Sequence, residues 1–443
     1  MSTTQEKLTE NLWFLGKLRS NILGRSKVPA EHASTLTILD AVATYLTTGR
    51  SDGVIACYYQ DTPATLILAK GGCVNDEDRA AAASLLKELT AAKDWLDLIP
   101  FLSRRSADQV NKRIRKLRTS FVKDFGFLCE VANEYEPNLD PSMHEFQGRW
   151  SRAFLKMNGL NQTVPAEVPR TLVHVLNFCN DYLAENQEFG NMRTSWIDFV
   201  QLLYATRTLF DSQFFSTYCH TRLKRRLAKV TQYIDIAYAI KFLRRLEGEI
   251  RVEWVTDVGY GNIKRMLDTV AVGNRFKKTF VEDSNLKDDA KDIMLSMMNT
   301  KFSGWSGDQE GSIEVALFVH PEIRLFLDVV KRNIVLDRDI VIGCSQKRCY
   351  ACKVWIEKLG SVTQMKLVTD LAFGGKPRFD WVFPDLTVLT NDIDQLEAGP
   401  NSHVERDAED WIRGILGEER WEAFNTCRDN KMIDAWLSGL GRN

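Results

Sequence analysis

Residues 313–330 read IEVALFVHPEIRLFLDVV, and this stretch decides the fold class. The run from Ile313 to Val319 is almost entirely apolar, which is typical of a strand that is buried on both faces. Pro321 has no backbone N–H and is favoured in the first turn of a helix, and the apolar residues after it recur at helical spacing. The sequence therefore predicts a buried strand followed by a helix, with His320 at the junction.

A second strand and helix follow in the same order. Residues 340–342 are a short apolar run, residues 343–348 form a turn, and residues 349–359 carry a helical pattern that Gly360 can terminate. Strand, helix, strand, helix in this order predicts parallel pairing with a right-handed crossover. The starts of both helices would then lie at the same edge of the sheet, where open α/β sheets bind ligands.

Four polar side chains stand at these two helix starts. His320 and Glu322 form the motif H-x-E, and Cys349 and Cys352 form the motif C-x-x-C. Zinc favours nitrogen and thiolate ligands, and a catalytic zinc site has three protein ligands and one open position. Cysteines three apart share a helix face, and the positive end of a helix favours thiolates. One imidazole and two thiolates are therefore a suitable donor set for zinc, and the carboxylate remains to move protons.

At these residues the chain resembles the cytidine-deaminase-like superfamily, and it is most similar to the nucleic acid and nucleotide deaminase branch known from fungal proteins and bacterial toxins. The resemblance covers roughly residues 310–390 and rests on His320-Pro321-Glu322, Gly343-Cys344-Ser345 and Cys349-Tyr350-Ala351-Cys352. One position differs. The superfamily usually has proline directly before the first metal cysteine, whereas this chain has Arg348.

The resemblance implies a zinc-dependent hydrolytic deaminase that acts on a nucleobase in a nucleotide or nucleic acid. His320, Cys349 and Cys352 would hold Zn²⁺, which makes hydroxide available near neutral pH. The hydroxide would attack the amine-bearing ring carbon, with Glu322 as the proton shuttle to the ring nitrogen and the departing ammonia. The implied fold is α/β, with a three-layer deaminase-like sheet and flanking helices. A large, mainly α-helical region is N-terminal to this core or inserted in it.

Two other interpretations of the cysteines remain open. Cys344 can add a third sulfur, so that His320 and the three cysteines form a structural zinc site in a non-catalytic, deaminase-like interaction module. The helical region would then recognise a partner. A C-x-x-C pair can also be a thiol redox switch, which predicts a disulfide between Cys349 and Cys352 and little bound zinc.

Composition limits the class of protein. The chain has 443 residues, of which 44% are hydrophobic and 26% charged, so we expect two or three domains with sizeable cores. No apolar run reaches the roughly 18 residues that a membrane helix needs, and residues 1–7 are polar rather than signal-like. Nine cysteines without dense spacing are typical of a reducing compartment. The sequence therefore predicts an intracellular protein of the cytoplasm or nucleus without membrane contact, and leaves its oligomeric state open.

Most of the chain before the motifs is predicted to be helical. We expect residues 1–280 to be mainly helical, residues 281–390 to form the zinc-binding deaminase-like core, and residues 391–443 to form C-terminal helices. The exception is a β-hairpin at residues 54–70, where two strand-forming segments flank Asp61-Thr62-Pro63. The hairpin belongs either to a separate N-terminal domain or to the catalytic sheet, and contacts with the 313–319 strand would decide. In the second case, the helical stretch from about residue 80 to residue 280 is an insertion.

Two predicted helices in this region are basic and amphipathic, at residues 104–118 and 222–245. Lys and Arg residues surround two apolar stripes, which are Val110, Ile114, Leu117 and Phe121 in the first helix and Leu223, Leu227, Val230 and Ile234 in the second. Such a face is either simply solvated or contacts a nucleic-acid or protein partner. His220, beside Cys219, is predicted to lie in the core.

Overall fold

The computed structural model describes a large part of the chain. The described residues are 28–50, 53–137, 148–160, 167–185, 196–246, 249–256, 263–268, 312–317, 319–332, 339–346 and 367–369, with Thr9, Glu145, Phe146, Phe189, Ala271, Cys352, Trp355 and Ile356. Within them, no helix is both long enough and apolar enough to span a bilayer.

The chain divides into two compact units. The first contains residues Met1–Leu36, Ile55–Val74 and Ile250–Asn443, and the second contains residues Thr37–Val54 and Asn75–Glu249. The structure is mixed α/β with a large helical region, which is the coarse fold class that the sequence predicts. The predicted boundaries after residues 280 and 390, and the helices predicted for residues 391–443, lie outside the described residues.

The described helices are α1 (Ala30–Leu46), α2 (Asp76–Ala91), α3 (Ile99–Asn133), α4 (Arg149–Met157), α5 (Val168–Ala184), α6 (Trp196–Asp211), α7 (Gln213–Tyr218), α8 (Thr221–Thr231), α9 (Ile236–Leu243) and α10 (Pro321–Lys331). The described strands are β1 (Ile55–Gln60), β2 (Thr65–Lys70), β3 (Arg251–Trp254), β4 (Ile263–Asp268), β5 (Ser312–Leu317), β6 (Ile340–Val341), β7 (Gly343–Cys344) and β8 (Leu367–Val368).

In the first unit, the predicted hairpin is the centre of a four-stranded sheet in the order β3-β2-β1-β7. β1 and β2 are antiparallel, with Ile55 opposite Lys70 and Gln60 opposite Thr65. β3 is parallel to β2, and β7 pairs antiparallel with β1 through Ala56 and Cys57. The hairpin therefore shares a sheet with the Gly343–Cys344 strand that precedes the C-x-x-C motif.

Helix α10 packs against both strands of the hairpin and begins where the sequence predicts. His320 is its N-cap, with extended dihedral angles (φ −63°, ψ 146°), and Pro321 is the first helical residue. The apolar face of the helix includes Ile323, Phe326 and Val329, each 0% exposed. Each such side chain contributes roughly 1.5–3 kcal/mol of hydrophobic stabilisation, so the start of this helix is firmly held on the sheet.

The structure contains two strands that the sequence did not predict, and the strands around the motifs pair differently among the described residues. β3 and β4 lie within residues 1–280, which were predicted to be mainly helical, and β4 pairs antiparallel with β5. The described partner of β6 is β8, in parallel, so the described residues show no parallel pair of β5 and β6. β3 and β4 read RVEW and IKRMLD. Their charged residues and short length weaken the period-two signal of a strand.

In the second unit, the 35-residue helix α3 supports the end of α1. The hydroxyl of Ser106 donates to the carbonyls of Tyr45 (2.7 Å) and Thr47 (2.9 Å), and Arg105 Nε donates to the Leu46 carbonyl (3.0 Å). These bonds satisfy carbonyls that have no partner within α1.

The residues of both predicted apolar stripes are buried. They are Val110, Ile114, Leu117 and Phe121 in the first stripe, and Leu223, Leu227, Val230 and Ile234 in the second. The second predicted helix is divided into α8 and α9.

Asp235 makes the stability of the helical unit dependent on pH. Burial raises the pKa of its carboxyl to about 6, although Arg207 Nη1 lies 3.0 Å from Asp235 Oδ1 and lowers it. At Arg207, burial is outweighed by Asp235 and Asp211, which raise the pKa of the guanidinium. The folded state therefore binds more protons than the unfolded state between the ordinary Asp pKa of about 4 and the raised value.

The free energy of unfolding is therefore expected to fall as the pH rises through this window, by up to about 1.4 kcal/mol per pH unit from this one group. Asp235→Asn is expected to remove that slope, whereas Asp211→Asn is expected to keep most of it, since burial raises the pKa of Asp235 more than the charge of Asp211 does. Urea unfolding followed by far-UV circular dichroism at several pH values measures the effect. An Asp235→Asn protein with the same pH dependence as the wild type would contradict the assignment.

Candidate metal centre

Three of the four predicted site residues lie together at the N-terminal end of α10. The donor atoms of His320, Glu322 and Cys352 are all within 4.8 Å of one another. The side chains are buried, with 3%, 3% and 0% of their residue surface exposed. Cys349, the other predicted metal ligand, lies outside the described residues.

The start of the helix explains how His320 and Glu322 face the same point. Two residues in the body of a helix that are two positions apart point in different directions. His320 is the N-cap with extended backbone angles, and Glu322 lies in the first helical turn. The bend of the chain at the cap therefore lets both side chains converge, and the positive end of the helix favours the carboxylate.

The closest contact in the group joins His320 Nδ1 and Cys352 Sγ at 3.1 Å. A zinc ion with bonds of about 2.0–2.1 Å to nitrogen and 2.3 Å to sulfur in tetrahedral geometry would place those two atoms about 3.6 Å apart. An opening of about 0.5 Å would therefore accommodate the ion. Cys352 is in helical conformation, as are Trp355 and Ile356, which are buried on the same segment.

The carboxylate of Glu322 is the third group that would lie beside a zinc ion at this site. Within the described part of the chain it makes no hydrogen bond or ion pair, although the residue is only 3% exposed. A divalent cation held by an imidazole and a thiolate would pair with this carboxylate, and nitrogen, sulfur and oxygen are the donors that zinc accepts. The residues present therefore fit a zinc ion.

The structural-zinc interpretation placed Cys344 among the ligands. Cys344 is buried and reduced, but it is not in the group of described donor atoms that lie within 4.8 Å of one another. The next residue, Ser345, is bonded to the start of β1. Its N–H donates to the Ile55 carbonyl (2.9 Å), and its hydroxyl accepts from the Ile55 N–H (3.0 Å). These bonds hold Ser345, directly after β7, against the start of β1.

Arg324 is a positioning residue that the sequence reasoning missed. It lies two positions after Glu322 and is 4% exposed. Its guanidinium donates to the carbonyls of Lys70 (2.6 Å), Gly72 (3.3 Å) and Val255 (3.4 Å), at the ends of β2 and β3. The planar guanidinium suits several acceptors at once, so this side chain ties the first turns of α10 to the sheet. The only sign of this role in the sequence is that Arg324 stands between two apolar residues, Ile323 and Leu325.

Comparison of the chain with protein-family models, with curated proteins and with solved structures finds no match. The chemistry of the centre is therefore inferred from its own residues. His320, Glu322 and Cys352 lie together, and the group offers one nitrogen, one sulfur and one carboxylate to a cation.

Proposed function

We propose that the protein is a zinc-dependent hydrolytic deaminase that acts on a nucleobase in a nucleotide or nucleic acid. The position of the Glu322 carboxylate carries the proposal. It is buried, has no hydrogen-bond partner among the described residues, and lies within 4.8 Å of a histidine nitrogen and a cysteine sulfur. An acid placed beside a metal-binding pair is suited to proton transfer.

His320 and Cys352 would hold the ion, together with Cys349, which precedes Cys352 by about one helical turn in the sequence. When bound, zinc would act as a Lewis acid and lower the pKa of a water molecule towards neutrality. The order H-x-E before C-x-x-C, which is the signature of base deaminases, supports this assignment. The sheet β3-β2-β1-β7 with α10 packed on it supports the proposed three-layer deaminase-like core.

The protein's own contribution is to move protons at a fixed position. Glu322 Oε accepts a proton from water as the water oxygen bonds to the amine-bearing ring carbon. The same carboxyl group gives this proton to the ring nitrogen, takes a second proton from the newly added hydroxyl and passes it to the amine; the carbon–nitrogen bond then breaks, ammonia leaves, and the carbon–oxygen bond becomes a carbonyl. Pro321 and Arg324 hold the helix turn that carries Glu322, and burial keeps bulk water from the transferred proton.

A non-catalytic, deaminase-like interaction module is the second candidate. The burial of all three donors favours it, because structural zinc sites are closed by protein ligands. In that case Glu322 would be a permanent ligand and would leave no position for water. The two candidates therefore differ in the role of a single carboxylate.

The test is an assay of ammonia release and zinc content on the purified full-length protein and on Glu322→Ala. The substrates are nucleosides, nucleotides, single-stranded DNA and RNA. We expect about one zinc ion per chain in both proteins and ammonia release only by the wild type. Zinc without ammonia release from any substrate in the panel would favour the interaction module. A Cys349–Cys352 disulfide with little zinc would favour the redox switch.

A further inference from the structure

We propose that the helical unit binds single-stranded nucleic acid along a surface formed by α3 and α8. This surface, the basic face, is defined by Lys112, Lys116, Lys123, Arg222 and Arg226, with Phe127 and His220 at one end. The inference does not depend on the proposed function, because all of these residues lie in the second unit and the candidate metal centre lies in the first.

The two helices pack side by side and antiparallel. Near one end, Arg113 Nη1 donates to the Lys229 carbonyl at 2.7 Å. At the other end, the rings of Phe127 and His220 stack, with centroids 6.3 Å apart and an interplanar angle of 26°. Residue numbers therefore rise along α3 as they fall along α8. The buried apolar stripes of both helices form the seam between them.

The cationic residues are aligned along this pair of helices. On α3, the spacing of Lys112, Lys116, Lys123 and Phe127 places them within about 60° of one line that is about 22 Å long. On α8, Arg222 and Arg226 are one turn apart on one side. Lys112, Lys116, Lys123 and Arg222 are exposed, and Arg226 is partly exposed. The two rows form one elongated surface rather than scattered charges.

Few acids balance these charges. α8 reads TRLKRRLAKVT and contains no acidic residue. Residues 104–118 contain one acid, Asp108, and Asp124 lies further along α3. Within the described residues, Lys116, Lys123, Arg222 and Arg226 make no ion pair.

Partial burial and the proximity of the cations to one another lower the pKa values of two side chains, Lys116 and Arg226. Partial burial of the Lys116 side chain lowers its pKa, and the charges of Lys112, Arg226 and Arg113 lower it further. Burial also lowers the pKa of Arg226, followed by the charges of Arg225 and Arg222. Phosphate groups on this surface would replace this repulsion by attraction, which is how basic surfaces gain affinity for nucleic acid.

The aromatic end of the basic face indicates a single strand rather than a duplex. Phe127 is 48% exposed, and its ring stacks with that of His220. His220 is exposed, contrary to the prediction that it lies in the core. Proteins that bind single strands combine a cationic track with exposed aromatic rings on which unpaired bases stack. A duplex offers no free base faces to such a platform.

The experiment uses the full-length protein and a fluorescein-labelled DNA or RNA strand of about 20 nucleotides, longer than a typical single-strand site. Fluorescence anisotropy measures the dissociation constant over a range of salt concentrations. The logarithm of the association constant is expected to fall linearly with the logarithm of salt concentration. Lys116→Ala/Arg226→Ala is expected to weaken binding at low salt about tenfold or more and to reduce the slope by about 1.4, since each single-strand phosphate contact contributes about 0.7.

Arg152→Ala/Lys156→Ala is the matched control, because it removes the same charge from exposed positions on α4. Binding by this variant is expected to equal that of the wild type. Phe127→Leu retains an apolar side chain but removes the ring. It is expected to weaken single-strand binding roughly 5- to 100-fold without changing the salt slope, and to leave duplex binding unchanged. Circular dichroism shows whether each variant is folded.

Three results would overturn the inference. The first is no binding to either strand at low salt, and the second is an equal loss of affinity in the α4 control. The third is binding to vesicles of phosphatidylserine without binding to nucleic acid, which would assign the basic face to an anionic membrane. Strand binding is measured by anisotropy and the deaminase proposal by ammonia release, so failure of this surface and failure of the deaminase proposal are distinguishable.

Discussion

Glu322→Gln is expected to lower the rate of ammonia release by about 10²- to 10⁴-fold while the zinc content stays unchanged. Glutamine has nearly the same size and shape as glutamate, but its amide cannot accept and return a proton. The carboxylate makes no hydrogen bond within the described residues, so the substitution removes no structural contact there. Steady-state kinetics on the substrate that the wild type converts, with zinc measured on the same samples, gives the result.

Asp328→Asn is a suitable control for this variant. Asp328 is a carboxylate on the same helix, is paired with Arg332 one turn further on, and lies near the other end of α10. Its replacement is expected to change turnover by less than about threefold, because an ion pair of this kind contributes little. If Glu322→Gln kept turnover within tenfold of the wild type, another group would have to move the proton. If it lost the zinc, Glu322 would be a ligand and the interaction module would be favoured.

Arg324→Met is expected to destabilise the sheet unit by about 3 kcal/mol. Methionine fills much of the same volume but leaves the carbonyls of Lys70, Gly72 and Val255 without their donor. Buried carbonyls that lose a charged donor cost more than an ordinary hydrogen bond. Hydrogen–deuterium exchange on peptides that cover residues 65–72 is expected to be faster by about two orders of magnitude.

The helical unit supplies an internal control for this experiment, since peptides from α3 belong to the second unit and are expected to exchange as in the wild type. Arg324→Lys is expected to be intermediate, because an ammonium group keeps the charge but does not match three acceptors as a guanidinium does. The Met variant is also expected to bind zinc more weakly, since the helix turn that begins at His320 is no longer held. Unchanged exchange at residues 65–72 would show that the guanidinium does not tie α10 to the sheet.

The start of α10 could be predicted because the information is local. Pro321 fixes the first helical turn, and the residue before it takes extended backbone angles, which makes His320 the N-cap. The hairpin was equally readable, because strand-forming residues flank a turn that contains Pro63. The proximity of His320 and Cys352 could not be predicted from local sequence pattern alone. It was predicted because the H-x-E and C-x-x-C motifs together have the residue types of a zinc site. Cys349 remains a prediction.

The partners of the strands could not be predicted, because they depend on residues far away in the chain. β3 is four residues long and has only one buried side chain, that of Trp254. It pairs in parallel with β2, although residues 75–249, which separate the two strands in the sequence, belong to the helical unit. A contact of the hairpin with the 313–319 strand was to decide whether the hairpin belongs to the catalytic sheet. Among the described strand pairs there is no such contact, and the hairpin pairs with β3 and β7 instead.

Arg324 and the basic face show the same limit for function. From the sequence alone, an arginine in a helix is expected to be exposed to solvent. In the structure Arg324 is buried because its guanidinium donates hydrogen bonds to three carbonyls at the strand ends. The basic residues of α3 and α8 were predicted as two separate faces. Their joint surface exists because the apolar stripes pack together, and the exposure of His220 could not be read from its neighbour Cys219.

Zinc K-edge X-ray absorption, on the wild type and on His320→Ala and Cys352→Ser, tests the metal centre most directly. We expect about one zinc ion per wild-type chain, with sulfur at about 2.3 Å and nitrogen or oxygen at about 2.0–2.1 Å. Cys352→Ser is expected to lose a sulfur ligand or the metal, and His320→Ala to lose the imidazole signal or the metal, while circular dichroism shows that both remain folded. A wild-type protein without zinc, or a ligand shell that neither substitution changes, would contradict the assignment of this centre.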